Sequence, residues 1–228
     1  MAQTVADELI NEIVLCGQAA ATSSNIQATT IIRVRDSLKR EKIAALAGGQ
    51  EYVATAGAFL VFCADLHRAQ LACEMQGGDF VEGMTEHFII ATVDVALAAQ
   101  NCVVAAESLG LGICYIGAIR NNPQTVTELL DLPRHVYPLF GMCLGYPDQN
   151  PELKPRLPLS VVLKEDSYQN ADDLEGIKAY DEQIRMYYKN RSGGTKDSCW
   201  SEEMRALVGK ESRPHMRKFL AERGFTMK

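Results

Sequence analysis

The chain's central connection reads AAESLGLGICYIGAIRNN at residues 105–122. A long apolar segment ends at Gly110, which suits a helix end because glycine adopts positive φ without a Cβ clash. Gly112 then lets the backbone turn into a short apolar strand, which ends at Gly117 and Ala118. These small residues leave the strand end open to close approach by a flat ligand. A helix, turn and strand without a ligand would give the same spacing, so both interpretations stay open.

Composition limits the classes of function. At 228 residues the chain fits one large domain, or one domain with an extension. A net charge of −6 argues against a nucleic-acid partner, because binding a phosphate backbone needs clustered basic charge. Seven cysteines without a Cys-x-x-Cys pair are typical of buried thiols in a reducing compartment, and they do not indicate a metal. With no secretory signal in the sequence, we expect a cytoplasmic protein that acts on a small molecule.

Hydrophobic periodicity and turn residues predict the secondary structure. Helices are expected at residues 5–21, 37–47 (with Ser37 as N-cap), 81–109, from 122, 180–188, 201–208 and 213–222. Strands are expected at residues 29–34, 58–64, 113–116 and 136–145. The run at 58–64 is continuously apolar, which is typical of a strand buried on both faces. Residues 65–83 predict a flexible loop or lid, and a β-branched segment follows at 161–163.

The predicted helix at 81–109 is interrupted too often by polar residues for a membrane span. Polar residues recur every seven positions beside a seam of alanines: His87, Asp94, Asn101 and Ser108 beside Ala91, Ala98 and Ala105. Small side chains permit close helix packing. The pattern predicts a buried helix that packs on another helix, either across a dimer axis or within one chain.

Three further segments carry groups suited to a phosphorylated ligand. The turn TSSNIQ at 22–27 offers hydroxyls and amides that either cap local structure or bind a sugar-like ligand. Lys154 and Arg156 flank a proline that favours extended backbone, so both cations are expected on one side, as an anion site or a solvated turn. Arg191 and Lys196 flank a glycine loop with the same two interpretations.

The chain is predicted to divide into a core at residues 1–163 and a C-terminal helical extension at residues 164–228. The extension is strongly polar at its start and has too few apolar residues for a second core. We expect it to wrap around the core or around a second subunit.

Nine motifs carry a resemblance to a known family: SSNIQ at 23–27, GGQ at 48–50, LVFCAD at 60–65, AQNCVVAAESLGLG at 99–112, YIGAIRNN at 115–122, LFGMCLG at 139–145, PDQNPELKPRLP at 147–158, YDEQ at 180–183 and ESRP at 211–214. Together they resemble the NADPH-dependent, FMN-containing nitroreductases and flavin reductases of the enteric major nitroreductase type. The resemblance implies an α+β nitroreductase-like fold, with a central, mostly antiparallel sheet flanked by helices. It also implies a homodimer with one FMN per subunit at its interface, and an extension that wraps the partner.

The resemblance also assigns roles to residues of this chain. Those matching FMN-binding positions are Thr22, Ser23 and Ser24 for the ribityl and phosphate portion, Gln50 for the flavin, the backbone of Tyr115, Ile116, Gly117 and Ala118 for the isoalloxazine, and Lys154 and Arg156 as the cationic pair. Ala118 stands where the family has a second glycine. Arg191 and Lys196 match a mobile basic loop associated with NADPH. Lys196 stands where some relatives have arginine. A lysine keeps the positive charge, but it does not bind a phosphate through two parallel hydrogen bonds as an arginine does.

The activity implied by the resemblance is hydride transfer from NADPH through FMN to nitroaromatics, quinones or free flavin. The cofactor supplies the chemistry, so no catalytic side chain and no metal are expected. The family's His-Arg-Ser-Ile-Arg-x-Phe segment, which supplies FMN phosphate contacts, does not occur in this sequence. Each charge-assisted hydrogen bond is worth about 1.5 to 3 kcal/mol, so we expect weaker FMN binding. The alternatives are a non-catalytic or cofactor-weakened dimeric relative, and a nucleotide or anion binder without redox chemistry.

Overall fold

The computed structural model describes residues 3–191 and 193–228. The chain forms two compact units. The first comprises the chain up to Asp148 together with His215–Lys228, and the second comprises Gln149–Pro214. The second unit thus begins before the predicted boundary at residue 163, and the last residues of the chain belong to the first unit. Burial of apolar side chains explains this position of the C-terminal residues, because Phe219, Leu220 and Phe225 lie in the main hydrophobic core.

The described part of the first unit contains the following elements in chain order: α1 (Asp7–Gln18), a 3₁₀ turn (Ser23–Asn25), β1 (Thr29–Arg33), α2 (Ser37–Leu46), α3 (Tyr52–Thr55), β2 (Ala58–Asp65), α4 (His67–Met75), α5 (Thr85–Ser108), β3 (Gly112–Ile116), a 3₁₀ turn (Gly117–Asn121), α6 (Pro123–Leu129) and β4 (Val136–Gly145). The second unit contains α7 (Leu159–Val162), α8 (Asp173–Arg191) and α9 (Trp200–Val208). The helix α10 (Met216–Glu222) belongs to the first unit.

The described strands form one antiparallel sheet in the order β1-β2-β4-β3. Every residue of β2 is buried, as its continuous apolar sequence predicts. Alternate residues of β2 enter two different cores, because successive side chains of a strand point to opposite faces. Leu60 and Phe62 join the first core with α1 and α5, and Phe59 and Val61 join the second core with α2 and α6. This α+β arrangement confirms the predicted fold class.

Two local predictions differ from the structure. The N-cap of α2 is Asp36, whose carboxylate accepts from Lys39 N at 3.0 Å, and Ser37 is the first helical residue. The loop predicted at 65–83 contains α4, which was missed because no residue of that helix is fully buried and its apolar pattern is weak.

The helix α5 packs against α1 within the chain. Its residues Ala91 and Ala98 are buried, and Asn101 Nδ2 donates to Cys16 O of α1 at 3.3 Å. Of the two alternatives for the alanine seam, the structure therefore shows packing within one chain. By length and composition α5 also meets the criteria for a membrane-spanning helix, as buried helices of soluble proteins can.

The second unit has a small aromatic core of its own. Tyr180, Ile184, Tyr187 and Tyr188 of α8 are buried and pack with Trp200. The prediction that this region has too few apolar residues for a core was wrong, because tyrosine rings supply the buried area. The β-branched segment at 161–163 lies in and just after the helical turn α7.

The C-terminal residues are held on the first unit by a cluster around Glu82. The Glu82 carboxylate pairs with Arg134 at 2.7 Å and with His135 Nε2 at 2.6 Å. His135 N in turn donates to Arg223 O at 3.0 Å. Gly224 is required beside this histidine, because its φ is +91° and an added Cβ would lie 2.4 Å from the His135 ring. The cluster therefore connects the loop before α5 to the end of the chain.

Glu82→Gln should lower the melting temperature at neutral pH, and the deficit should shrink as the solution is acidified. Hydrogen bonds from Arg134 and His135 lower the pKa of Glu82 from 4.5 to about 2. The stabilisation is therefore fully present above 4.5 and is lost as the pH falls towards about 2. Thermal unfolding across this range measures it, with Glu41→Gln on the exposed part of α2 as control. A deficit that did not change with pH would contradict this account.

Candidate functional site

The segment with the predicted FMN residues Thr22, Ser23 and Ser24 is anchored to the central helix α5 by a buried carboxylate. Asp94, which is 1% exposed, accepts from Ser23 N at 3.1 Å and from Ala28 N at 3.3 Å. Between these bonds the backbone adopts positive φ at three residues, Ser24, Asn25 and Gln27. The turn is held in this conformation while both serines remain exposed.

A cavity of about 490 Å³ adjoins this segment. It is lined by Val14, Gly17, Gln18, Ala20, Thr22, Gln27, Thr29, Thr30, Ile31, Arg68 and Ala98. Arg68 is fixed there by hydrogen bonds to Thr29 O at 2.6 Å and to the carboxylate of Asp65 at 2.9 Å. Thr22 is the predicted cofactor residue that this lining includes.

Gln50 lies on the opposite face of the sheet. It follows α2 and precedes α3, whose buried residues Ile43 and Val53 belong to the second core. Its side-chain Oε1 is buried and has no hydrogen-bond partner among the described residues. A buried acceptor without a partner costs about 1 to 3 kcal/mol, so this atom suits a ligand that brings a donor.

The strand end predicted to face the flavin lies beside the same second core. Ile116 is buried in this core, and Ala118 packs at its edge. A Cβ at Gly117 would lie 3.1 Å from the Arg120 guanidinium, so the glycine permits a close approach there. Tyr115 is 39% exposed and packs edge-on against Phe140 at 5.1 Å between ring centroids. Burial raises the pKa of Tyr115 to about 12, so its hydroxyl stays protonated at neutral pH.

In the second unit, the two predicted basic sites meet at one tyrosine. Lys154 Nζ lies 2.8 Å from Tyr188 Oη, and Lys196 Nζ lies 3.5 Å from the centroid of the same ring. Glu203 completes the cluster, because it accepts from Tyr188 Oη at 3.0 Å and pairs with Lys196 at 2.5 Å. This ion pair raises the pKa of Lys196 and lowers that of Glu203, so both stay charged at neutral pH.

The remaining two cations take other partners. Arg191 donates to Tyr187 Oη at 2.8 Å, one residue before the shared tyrosine. Arg156 is exposed, and its guanidinium donates to the backbone oxygen of Lys154 at 2.9 Å. The structure therefore brings Lys154 and Lys196 together on Tyr188 and places Arg156 and Arg191 beside this cluster in contacts of their own.

Comparison with known proteins gives the family. The model of the nitroreductase family matches residues 1–146, and that of the nitroreductase family C-terminal domain matches residues 154–228. The chain belongs to the nitroreductase family. It is 47% identical over 221 residues to an NADPH-flavin oxidoreductase of Vibrio harveyi, covering 96% of this chain and 90% of that protein. An oxygen-insensitive NADPH nitroreductase of Salmonella typhimurium is 44% identical over 223 residues, covering 98% and 91%.

Solved structures of this family have the same fold. Nitroreductase A from Vibrio parahaemolyticus superposes with a TM-score of 0.92 at 44% identity, covering 100% of this chain and 93% of that one. The NADPH:FMN oxidoreductase from Vibrio harveyi complexed with NAD+ gives 0.90 at 43% identity, covering 100% and 93%. These matches confirm the nitroreductase-like fold that the sequence motifs imply.

Asp94→Ala should destabilise the folded state by about 2 to 4 kcal/mol, because Ser23 N and Ala28 N would lose their acceptor. Urea unfolding measures the loss, and amide hydrogen exchange should accelerate at these two positions. Gln100→Ala, on the exposed part of the same helix, is the matched control and should leave both readouts near those of the native protein. An equal loss in the two variants would contradict the assigned role of Asp94.

Proposed function

We propose that this protein is an oxidoreductase that transfers hydride from NADPH through FMN to nitroaromatics, quinones or free flavin. The observation that carries the proposal is that the chain resembles known reductases in sequence over nearly its full length. Curated relatives at 43% to 47% identity are named NADPH-flavin oxidoreductase, oxygen-insensitive NADPH nitroreductase and FMN reductase (NADPH). These names favour the enzyme over a non-catalytic relative.

The hydrogen-bonding and charged groups of this chain fit FMN. The Oε1 atom of Gln50 is buried, has no partner in the described part of the chain and matches a ligand N–H. The exposed hydroxyls of Ser23 and Ser24 suit a polyol or phosphate, and Lys154 supplies positive charge for the phosphate. FMN, when bound, supplies the redox chemistry. In this proposal the chain binds and orients the cofactor, with Gln50 and the backbone of residues 115–118 at the flavin.

Arg191 and Lys196 are proposed to bind the phosphate of NADPH. Lys196 is paired with Glu203, so a phosphate has to replace this carboxylate before the ammonium can bind it. Arg191 has a hydroxyl partner in Tyr187, which costs less to give up than an ion pair. Arg191 is therefore the first cation available to the incoming ligand.

The arrangement of the predicted FMN residues supports a homodimer. Thr22, Ser23 and Ser24 lie on the α5 side of the sheet, whereas Gln50 and Ala118 lie on the side of the second core. A second copy of the chain would let one cofactor contact both sets. The helix α5 also exposes an apolar stripe, in which Ile89, Val93, Leu97 and Val104 are each at least 46% exposed. We propose that this stripe forms the dimer contact and that the dimer is cytoplasmic.

FMN titration of the purified protein, followed by anaerobic addition of NADPH, tests the function. FMN should bind in the micromolar range or more tightly, with changed flavin fluorescence, and NADPH should then bleach its visible absorption. Lys154→Ala should weaken FMN binding by roughly 10-fold or more, since one charge-assisted hydrogen bond is worth about 1.5 to 3 kcal/mol. Arg191→Ala should leave the FMN titration unchanged and raise the NADPH concentration needed for half-maximal bleaching.

The two variants control for each other, because each should change a different titration. A folded protein that does not bind FMN at micromolar concentration would overturn the proposed activity. Bleaching that is equally sensitive to NADPH in the native protein and in Arg191→Ala would overturn the role of that arginine alone.

Val93→Glu should dissociate the dimer, because a carboxylate in an apolar contact loses its hydration without gaining a partner. Sedimentation velocity should then show a folded monomer where the native protein sediments as a dimer. Leu38→Glu, at an exposed leucine of α2 outside the stripe, is the control and should remain dimeric. A native protein that sediments as a monomer would refute the proposed assembly directly.

A further inference from the structure

Two cysteines face each other across the edge of the sheet. In the register of β3 and β4, Cys114 is paired with Cys143. Directly opposed residues of antiparallel strands have Cα atoms about 4.5 to 5.5 Å apart and side chains on the same face. A disulfide needs Cα atoms about 4.4 to 6.8 Å apart, so the backbone here already meets its requirement.

The two thiols differ in exposure. Cys114 is exposed, whereas Cys143 is buried and its Sγ lies 3.5 Å from Tyr52 O. Burial, and after it the neighbouring Cys114, raise the pKa of Cys143 to about 12, against the opposing charge of Arg40. The thiols are therefore close enough to interact, and an oxidant from solvent meets Cys114 first.

We propose that Cys114 and Cys143 are a dithiol site at which a hydroperoxide forms a cross-strand disulfide. The proposal does not depend on the flavin activity of the protein. With hydrogen peroxide, the sulfur of Cys114 attacks one peroxide oxygen and forms an S–O bond as the O–O bond breaks. Cys114 becomes a sulfenic acid, and the other oxygen leaves as water with the thiol proton. The sulfur of Cys143 then attacks that of Cys114, and the sulfenic oxygen leaves as a second water with the proton of the Cys143 thiol. Two thiols are oxidised by two electrons, and one hydrogen peroxide is reduced to two waters.

The bond would fix an edge of the sheet. The edge strand β3 pairs with β4 and ends in the segment that begins at Tyr115. A disulfide to β4 would hold this strand covalently. Cys143 would also give up its S–H contact to Tyr52 O, two residues after Gln50. Oxidation would thus change contacts in two segments beside the second core, the strand β3 and the segment around Tyr52.

A second pair of thiols provides a matched control. Cys16 is exposed on α1 and Cys102 is buried on α5, and Cys16 adds to the raised pKa of Cys102. The Cys102 thiol is directed at Gly17, because a Cβ added to that glycine would lie 2.4 Å from its Sγ. The pair thus has one exposed and one buried thiol without the opposed strand register of Cys114 and Cys143.

The test treats the full-length protein with hydrogen peroxide, blocks the remaining thiols by alkylation under denaturing conditions and maps disulfide-linked peptides by mass spectrometry. A peptide linking Cys114 to Cys143 is expected, and dithiothreitol should remove it. It should persist in the double variant C16S/C102S and disappear in C114S and in C143S. The oxidised native protein should also melt about 5 °C above the reduced one, a difference absent in C114S.

Three results would overturn the proposal: thiols that all remain alkylatable, a link between Cys16 and Cys102 in place of the expected one, or Cys114 oxidised to sulfinic acid without any link. Because C114S replaces an exposed thiol by a hydroxyl of similar size, it is expected to fold. Circular dichroism of each variant before oxidation separates a loss of fold from a loss of the disulfide.

Discussion

The structure of the first unit depends on the burial of β2 on both faces. All eight of its residues are buried, so both sides must be covered by apolar layers. One layer comes from α1 and α5 and the other from α2, α6 and the turn after β3. The other elements of this unit are arranged by which side of β2 they cover. The C-terminal residues follow the same constraint, since Phe219 and Phe225 complete the first layer.

This constraint also explains why the predicted FMN residues are separated. Ser23 is held on α5 through Asp94, and Gln50 lies in the connection between α2 and α3. Because β2 and its neighbours lie between these layers, the two residues are on opposite sides of the sheet. Our proposal of a homodimer rests on this separation and on the exposed side of α5, whose other side is occupied by α1 and the sheet.

Sequence reasoning succeeded where one periodicity dominated a segment. The continuous apolar run of β2, the length of α5 and the cap of α6 by Asn122 were all predictable, because each depends on neighbouring residues. The helix α4 was missed because it has no fully buried residue and therefore no clear periodicity. Asp94 carried a signal, as a polar residue in an apolar helix, but its partners Ser23 N and Ala28 N are far away in sequence and could not be inferred. The cofactor residues came from family motifs, since spacing alone allowed a ligand-free connection.

The second unit shows how buried tyrosines can organise charge. In Tyr188 the ring packs in a core while its hydroxyl contacts Lys154 and Glu203. Lys196 lies over the face of the same ring and pairs with the same glutamate. Each lysine therefore already has a partner. Under our proposal, a phosphate that binds Lys196 has to exchange the ion pair with Glu203 for another charged contact. Such an exchange would give less affinity than a free cation, because the Glu203 carboxylate has to be rehydrated or paired again. In the proposed site, the glutamate would thus favour ligands that bring more than one negative charge, as a phosphate monoester does.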